Sequence, residues 1–208
     1  MKVLLLNGSP HEKGCTYTAL SEVAQSLAEC QVDSEIAWIG AQPVRGCIGC
    51  GGCAGGAGRC AFDDDVLNRI LPKAAAADGL IVGSPVHYAA AAGAVSCLLD
   101  RMFKTIPDRL CYKPAACVVS CRRGGASATF DELNKYFTIN RMPVVSSQYW
   151  NSVHGSRAED VRKDLEGLQI MRVLGRNMAW LLHCIAAGRA AGVPMPQQEE
   201  HLWTNFIR

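Results

Sequence analysis

The chain has 208 residues, 49% of them hydrophobic and 19% charged, which suits one well-buried α/β domain over 1–208 and is short for two. A formal net charge of +2 gives no electrostatic reason to expect nucleic acid or an anionic membrane as a partner. No run approaches the ~20 apolar residues of a membrane span and no secretory leader is recognised, so the chain is expected in the cytoplasm, where its eleven cysteines stay reduced.

Val3 to Leu6 form the short continuous apolar run of a strand buried on both faces, broken at Asn7-Gly8-Ser9-Pro10. A helix is predicted from about Thr16 to Glu29, because Leu20, Val23, Ala24 and Leu27 recur at helical spacing. Its first turn carries hydroxyls and no carboxylate before Glu22, which leaves unpaired N–H groups and the positive helix end for an anion. Ser9, Thr16 and Thr18 can add donors there, and Lys13 a charge. Five residues lie between Gly8 and Gly14, where a Walker loop has four, and Cys15 follows, so this is not a Walker loop, and the dinucleotide pattern G-x-G-x-x-G is absent.

Val32, Ile36 and Trp38 suggest a second strand ending near Gly40, followed by a Gly- and Cys-rich loop over 45–62. Asp63, Asp64 and Asp65 start a helix whose buried face is Val66, Leu67, Ile70 and Leu71, with Pro72 expected to kink or split it. The third strand is Leu80-Ile81-Val82, ending in the loop Gly83 to Tyr88, and a helix is predicted from Ala90 to Phe103. Ala115 to Val119 make the fourth strand, closed by Ser120-Cys121-Arg122-Arg123-Gly124-Gly125 and a helix with Phe130, Leu133 and Phe137. A fifth strand is placed around Val144-Val145, followed by a loop with Tyr149, Trp150 and His154, one long helix from about Glu159 to Ala187, and a tail over 189–208. Cys97, Cys117 and Cys184 read as small core residues.

The alternation predicts a parallel sheet with helices on both faces. Ligands of such sheets bind at the carboxyl ends of the strands. Three strands, the first, third and fourth, end in Gly/Ser/Pro or Gly/Arg loops, which points to one shared site. The cysteines Cys47-x2-Cys50-x2-Cys53-x6-Cys60 lack the widely separated pairs of a zinc ribbon and stand closer to iron–sulfur spacing. A [4Fe–4S] cluster, free or redox-active thiols, and zinc all remain readings of this loop, whose glycines allow a tight wrap.

The motifs GSPHEKGCT at 8–16, GSPVHYAAAAG at 83–93 with LLDR at 98–101, and SCRRGG at 120–125 resemble the flavodoxin-like NAD(P)H-dependent FMN reductases and iron–sulfur flavoproteins. The resemblance implies a doubly wound five-stranded parallel sheet of order 2-1-3-4-5, non-covalent FMN and a homodimer or homotetramer. It places Ser9, Cys15, Thr16, Tyr17 and Thr18 at the FMN phosphate, with the backbone N–H doing more at Cys15, where related sequences often carry Asn. It sets Pro85, Val86, His87 and Tyr88 along the isoalloxazine, and Ser120, Arg122, Arg123, Gly124 and Gly125 on the opposite side, near the flavin N1/C2 carbonyl. The iron–sulfur flavoproteins have a compact cysteine motif at the place of Cys47, Cys50, Cys53 and Cys60. Trp150 and His154 could complete the pocket of a neighbouring subunit.

Function is then expected to rest on the flavin rather than on a side-chain acid, base or nucleophile. NAD(P)H is the transient donor and a flavin, quinone, nitro compound or cluster the acceptor. The alternatives are an electron-transfer module that exchanges electrons with a ferredoxin-like protein, and a flavin-binding sensor.

Overall fold

A computed structural model describes residues 1–206; positions 207 and 208, the end of the expected tail and of the expected 1–208 unit, lie outside the described residues. The chain runs β1 (Lys2–Asn7), α1 (Cys15–Glu29), β2 (Asp33–Trp38), α2 (Leu67–Ala76), β3 (Gly79–His87) and β4 (Ala90–Ala91). It continues through α3 (Gly93–Thr105), α4 (Pro107–Leu110), β5 (Ala115–Cys121), α5 (Ala126–Ile139), β6 (Ser152–His154), α6 (Ala158–Val161) and α7 (Leu165–Ala190). The parallel path is β2-β1-β3-β5-β6, with β4 pairing only β3, so the five-strand order expected from the resemblance is present once β4 is set aside.

Alternation along the strands divides the core in two. Val3, Leu5, Ile81, Ala116 and Val118 face α1 and α7, where Leu20, Val23, Leu27, Leu174 and Met178 cover them. Leu4, Leu6, Leu80, Val82 and Cys117 face the opposite layer, built from Leu67 and Leu71 of α2, Leu98 and Met102 of α3 and Phe137 of α5. Burial on both faces is why β1 reads as an unbroken apolar run. Among the described residues, no helix is long and apolar enough to cross a membrane.

Five expectations need correction. β3 continues through the segment read as a loop, with Pro85 in register with Ser120, and then turns back at Tyr88-Ala89 into β4 rather than directly into a helix. Val144 makes only an isolated bridge to Ala115; the fifth parallel strand is Ser152–His154, beside Val119–Cys121. The long helix is two, because Asp164 caps α7 by accepting from Gly167 N at 2.9 Å and also takes His154 N at 2.7 Å. Helix α2 begins at Leu67 and runs through Pro72 without splitting: Pro72 is exposed, and Leu67, Ile70, Leu71 and Ala74 hold the other face. Cys117 is buried as expected, whereas Cys97 is half-buried and Cys184 lies exposed on α7.

Gly8 donates to Gly83 O at 2.9 Å, and a Cβ there would stand 2.2 Å from Val95 Cγ2 and 2.7 Å from that same oxygen. Gly8→Ala should therefore cost about 2–3 kcal/mol through overpacking at the root of the loop. The midpoint of a urea unfolding curve measures it.

Candidate active site

Loop 8–14 is held from below. Asn7 is fully buried, donates from Nδ2 to Glu12 O at 2.8 Å and accepts from Ser9 N at 3.2 Å; Trp38 Nε1 donates to Ser9 O at 2.8 Å. The first intrahelical bond of α1 runs from Thr18 N to Gly14 O at 3.0 Å. The N–H groups of Cys15, Thr16 and Tyr17 are thus without partners among the described residues, and the first turn carries no acid and no side-chain cap. Cys15 and Thr16 line one end of a cavity of about 590 Å³, within the roughly 300–1,000 Å³ of small-molecule sites.

The cavity joins the expected loops. Ser9, Cys15, Thr16, Pro85, Val86, Ser120 and Arg122 line it. Thr16 and Ser120 share a buried hydroxyl–hydroxyl bond of 2.8 Å, which ties the first loop to the end of β5. Gly125, at φ +90°, approaches so closely that a Cβ would meet Val86 Cγ1 at 2.7 Å and Ala89 Cα at 2.8 Å, and the third loop thereby braces the β3–β4 hairpin.

Other expected residues stand off the cavity wall. Thr18 Oγ1 donates back to Gly14 O at 3.1 Å, and Tyr17 lies half-buried beside it. His87, Tyr88, Arg123 and Gly124 are exposed, Tyr88 and Ala89 at φ +51° and +61°, a left-handed pair that bulky residues adopt only under constraint. Trp150 and His154 are exposed as well. The sequence reading missed Gly155 to Glu159, which close the cavity beyond β6, along with His11 and Cys121. The signal was a Gly-Ser-Arg turn at a strand end, hidden because the strand itself had been placed at Val144-Val145.

Charge in the cavity is mostly positive. Lys13, Arg122 and Arg157 line it, and their side chains have no ion pair or hydrogen bond among the described residues, while Glu159 already faces Arg162. The backbone N–H groups of Ser156 and Arg157 are fixed on Asp160 Oδ2 at 3.1 and 3.0 Å. Lys13 and Arg157 share the cavity with the free N–H groups of Cys15 and Thr16, which suits a dianionic ligand end such as a phosphate. Burial raises the thiol pKa of both Cys15 and Cys121, reinforced by Asp160 and Glu159 for the first and Asp164 for the second. Burial thus works against ionising either thiol.

The profile of the NADPH-dependent FMN reductases matches residues 1–156, which carry the first three of these loops and the start of the fourth. The chain belongs to that family. Its members' chemistry makes it a flavin-dependent oxidoreductase, and the cavity is where this reductase fold gathers its loops. An iron–sulfur flavoprotein of Methanocaldococcus jannaschii is 31% identical over 196 residues, 89% of this chain and 99% of that one. Among solved structures, RosB with a bound 8-demethyl-8-formylriboflavin-5′-phosphate intermediate superposes with a TM-score of 0.70 at 14% identity, covering 100% of this chain and 94% of that one. A flavodoxin-type WrbA-like protein from Agrobacterium tumefaciens gives 0.60 at 16% identity over 88% and 96% of the two chains, which shows the flavodoxin-like fold.

The cysteine loop of this family member is arranged differently from the cavity. Cys47, Cys50, Cys53 and Cys60 all line one small pocket with Phe62, Arg101 and Lys104. Among the described residues, no three His, Cys, Asp or Glu side chains stand close enough to hold a single metal ion. Four soft thiols converging on one pocket beside a buried cation fit the donor chemistry of a cluster, whose thiolates bind separate irons.

Proposed function

We propose that the chain binds FMN in the 590 Å³ cavity and is reduced by NAD(P)H, passing the electrons to a flavin, a quinone or another small acceptor. The observation that carries this reading is the meeting of unpaired cations and free helix N–H groups with the Pro85-Val86 and Arg122 walls in one cavity. Bound FMN supplies a reversible two-electron acceptor that can also release electrons singly. The chain's own residues do the rest. Lys13, Arg157 and the N–H groups of Cys15 and Thr16 would hold the phosphate; Pro85 and Val86 would exclude water along one side; Arg122 would place positive charge where the ring gains negative charge. No nicotinamide motif is needed when the donor stacks and leaves. Further parts of the proposal are a cytoplasmic location, a homodimer or homotetramer, and no nucleic-acid or membrane partner.

Anaerobic mixing of the yellow protein with NADPH or NADH tests it. Loss of the flavin bands with one of them is expected, and persistence of the colour with both removes the reductase reading.

A second reading, an iron–sulfur flavoprotein that trades electrons with a ferredoxin-like protein, is favoured by the four cysteines on one pocket and by the relative's name. Faster reduction by ferredoxin than by NADPH, together with iron and acid-labile sulfide in the protein, would select it.

A further inference from the structure

The four cysteines are held unequally. Cys60 is buried, its N–H bonds Asn68 Oδ1 at 2.9 Å, its carbonyl accepts from Asn68 Nδ2 at 3.1 Å, and its sulfur accepts from Arg101 Nη2 at 3.4 Å. Arg101 is itself only 2% exposed. It pairs with Asp65, donates to Arg45 O at 3.2 Å and Phe62 O at 3.3 Å, and leaves its Nε buried without a partner. One guanidinium thus clasps both ends of the cysteine loop.

The other three thiols sit on chain that can adjust. Cys47 and Cys50 are exposed, and Cys53 reaches only Lys104 O at 3.7 Å. Backbone bonds inside the segment are two, Ala54 N to Gly51 O at 2.9 Å and Gly56 N to Cys53 O at 3.3 Å. Gly49 and Gly51, at φ +66° and +72°, have nothing within 4 Å of where a Cβ would be. The pocket between the cysteines is small, about 30 Å³, so an occupant the size of a cluster needs the segment to open around it.

We propose that Arg101 is the positioning residue of this thiol pocket: it holds Cys60 as the fixed sulfur around which the Cys47–Cys53 segment closes, and it sets the reduction potential of the group held there. The second part rests on the [4Fe–4S] reading. A cluster on four thiolates becomes more negative when it accepts an electron, so a buried cation hydrogen-bonded to a ligand sulfur stabilises the reduced form and raises the potential.

The test compares the full-length protein with Arg101→Lys and with Arg101→Gln/Asp65→Asn, which removes both buried charges together so that neither is left alone. After anaerobic reconstitution with iron and sulfide, FMN, iron and sulfide per chain are counted, and the cluster is titrated with dithionite by electron paramagnetic resonance. The double variant should hold FMN and iron, with its reduction equilibrium shifted at least tenfold against reduction, about 59 mV for one electron; Arg101→Lys should fall between. In metal-free protein, iodoacetamide should label Cys60 at least tenfold faster in the double variant than in the unaltered chain when each rate is taken at its high-pH plateau, where the thiol is fully ionised and the guanidinium's effect on ionisation drops out. If the double variant does not fold, the same readings on Arg101→Lys decide. An unchanged potential in an iron-loaded variant, or unchanged Cys60 labelling, overturns the role of Arg101. Lack of iron and sulfide in the unaltered protein instead rejects the cluster reading, and labelling alone then decides whether Arg101 fixes Cys60.

Discussion

Arg101→Leu should destabilise the chain by about 3–5 kcal/mol, because it leaves the Asp65 carboxylate buried with no counter-charge. The side chains of this pair are 2% and 3% exposed, and Asp65 also accepts from Leu67 N and Arg45 N, both at 3.0 Å. Burial alone would raise the Asp65 pKa; the two N–H groups and Arg101 outweigh it and hold the carboxyl below its usual value. A depressed folded-state pKa means that this stabilisation is present above the ordinary pKa near ~4 and is lost as the pH falls through the lowered value. Chemical unfolding followed from pH 6 down to about 2 should show that acid limb in the unaltered protein and a weaker one in Arg101→Gln/Asp65→Asn. The double variant should also lose less stability at pH 6 than Arg101→Leu, since a paired replacement leaves no orphan charge. Equal losses would mean that the guanidinium acts through its aliphatic stem and not through its charge.

The parts of this fold that the sequence concealed are those where a residue type serves a purpose other than its commonest one. Gly83-Ser84-Pro85 looks like a turn, yet Gly83 sits in mid-strand because a Cβ there would meet Thr16 Cγ2 at 2.7 Å and Leu20 Cδ1 at 2.8 Å. The glycine serves helix–strand approach, and β1, β3 and α1 can converge on the site because of it. The true turn, Tyr88-Ala89, carries none of the Asn-Gly or Asp-Gly chemistry that announces a two-residue hairpin. β6 is three residues long inside a polar stretch, too short for any period to show, and the Gly155 to Glu159 wall was lost with it. Arg101 belonged to a recognised motif, but nothing local marks it as buried, since Asp65 is 36 residues away. By contrast, β1, α1 and the uncapped, acid-free turn between them were legible, because continuous burial, helical spacing and the lack of an early acid are all local properties.

That turn sets up the other large effect. Gly14 is the N-cap of α1, with φ −85° and no side-chain cap, and a Cβ there would approach only His11 Cβ, at 3.1 Å, as its tightest neighbour. Gly14→Asp would place a carboxylate where it accepts from the free N–H groups of Thr16 or Tyr17, at the helix end assigned to the FMN phosphate. Two opposite consequences should follow. The protein without flavin changes little in stability, because the cap and the helix dipole offset the crowding. FMN affinity falls about 100-fold or more, ~2.8 kcal/mol, through lost charged hydrogen bonds and like-charge repulsion. Gly14→Asn gives the same shape without the charge and should weaken FMN binding less. Riboflavin, which has no phosphate, should bind Gly14→Asp and the unaltered protein with similar affinity. Fluorescence titration of both flavins separates the cases: an equal loss for riboflavin and FMN would show that the substitution distorts the cavity, and that the end of α1 is not the phosphate site.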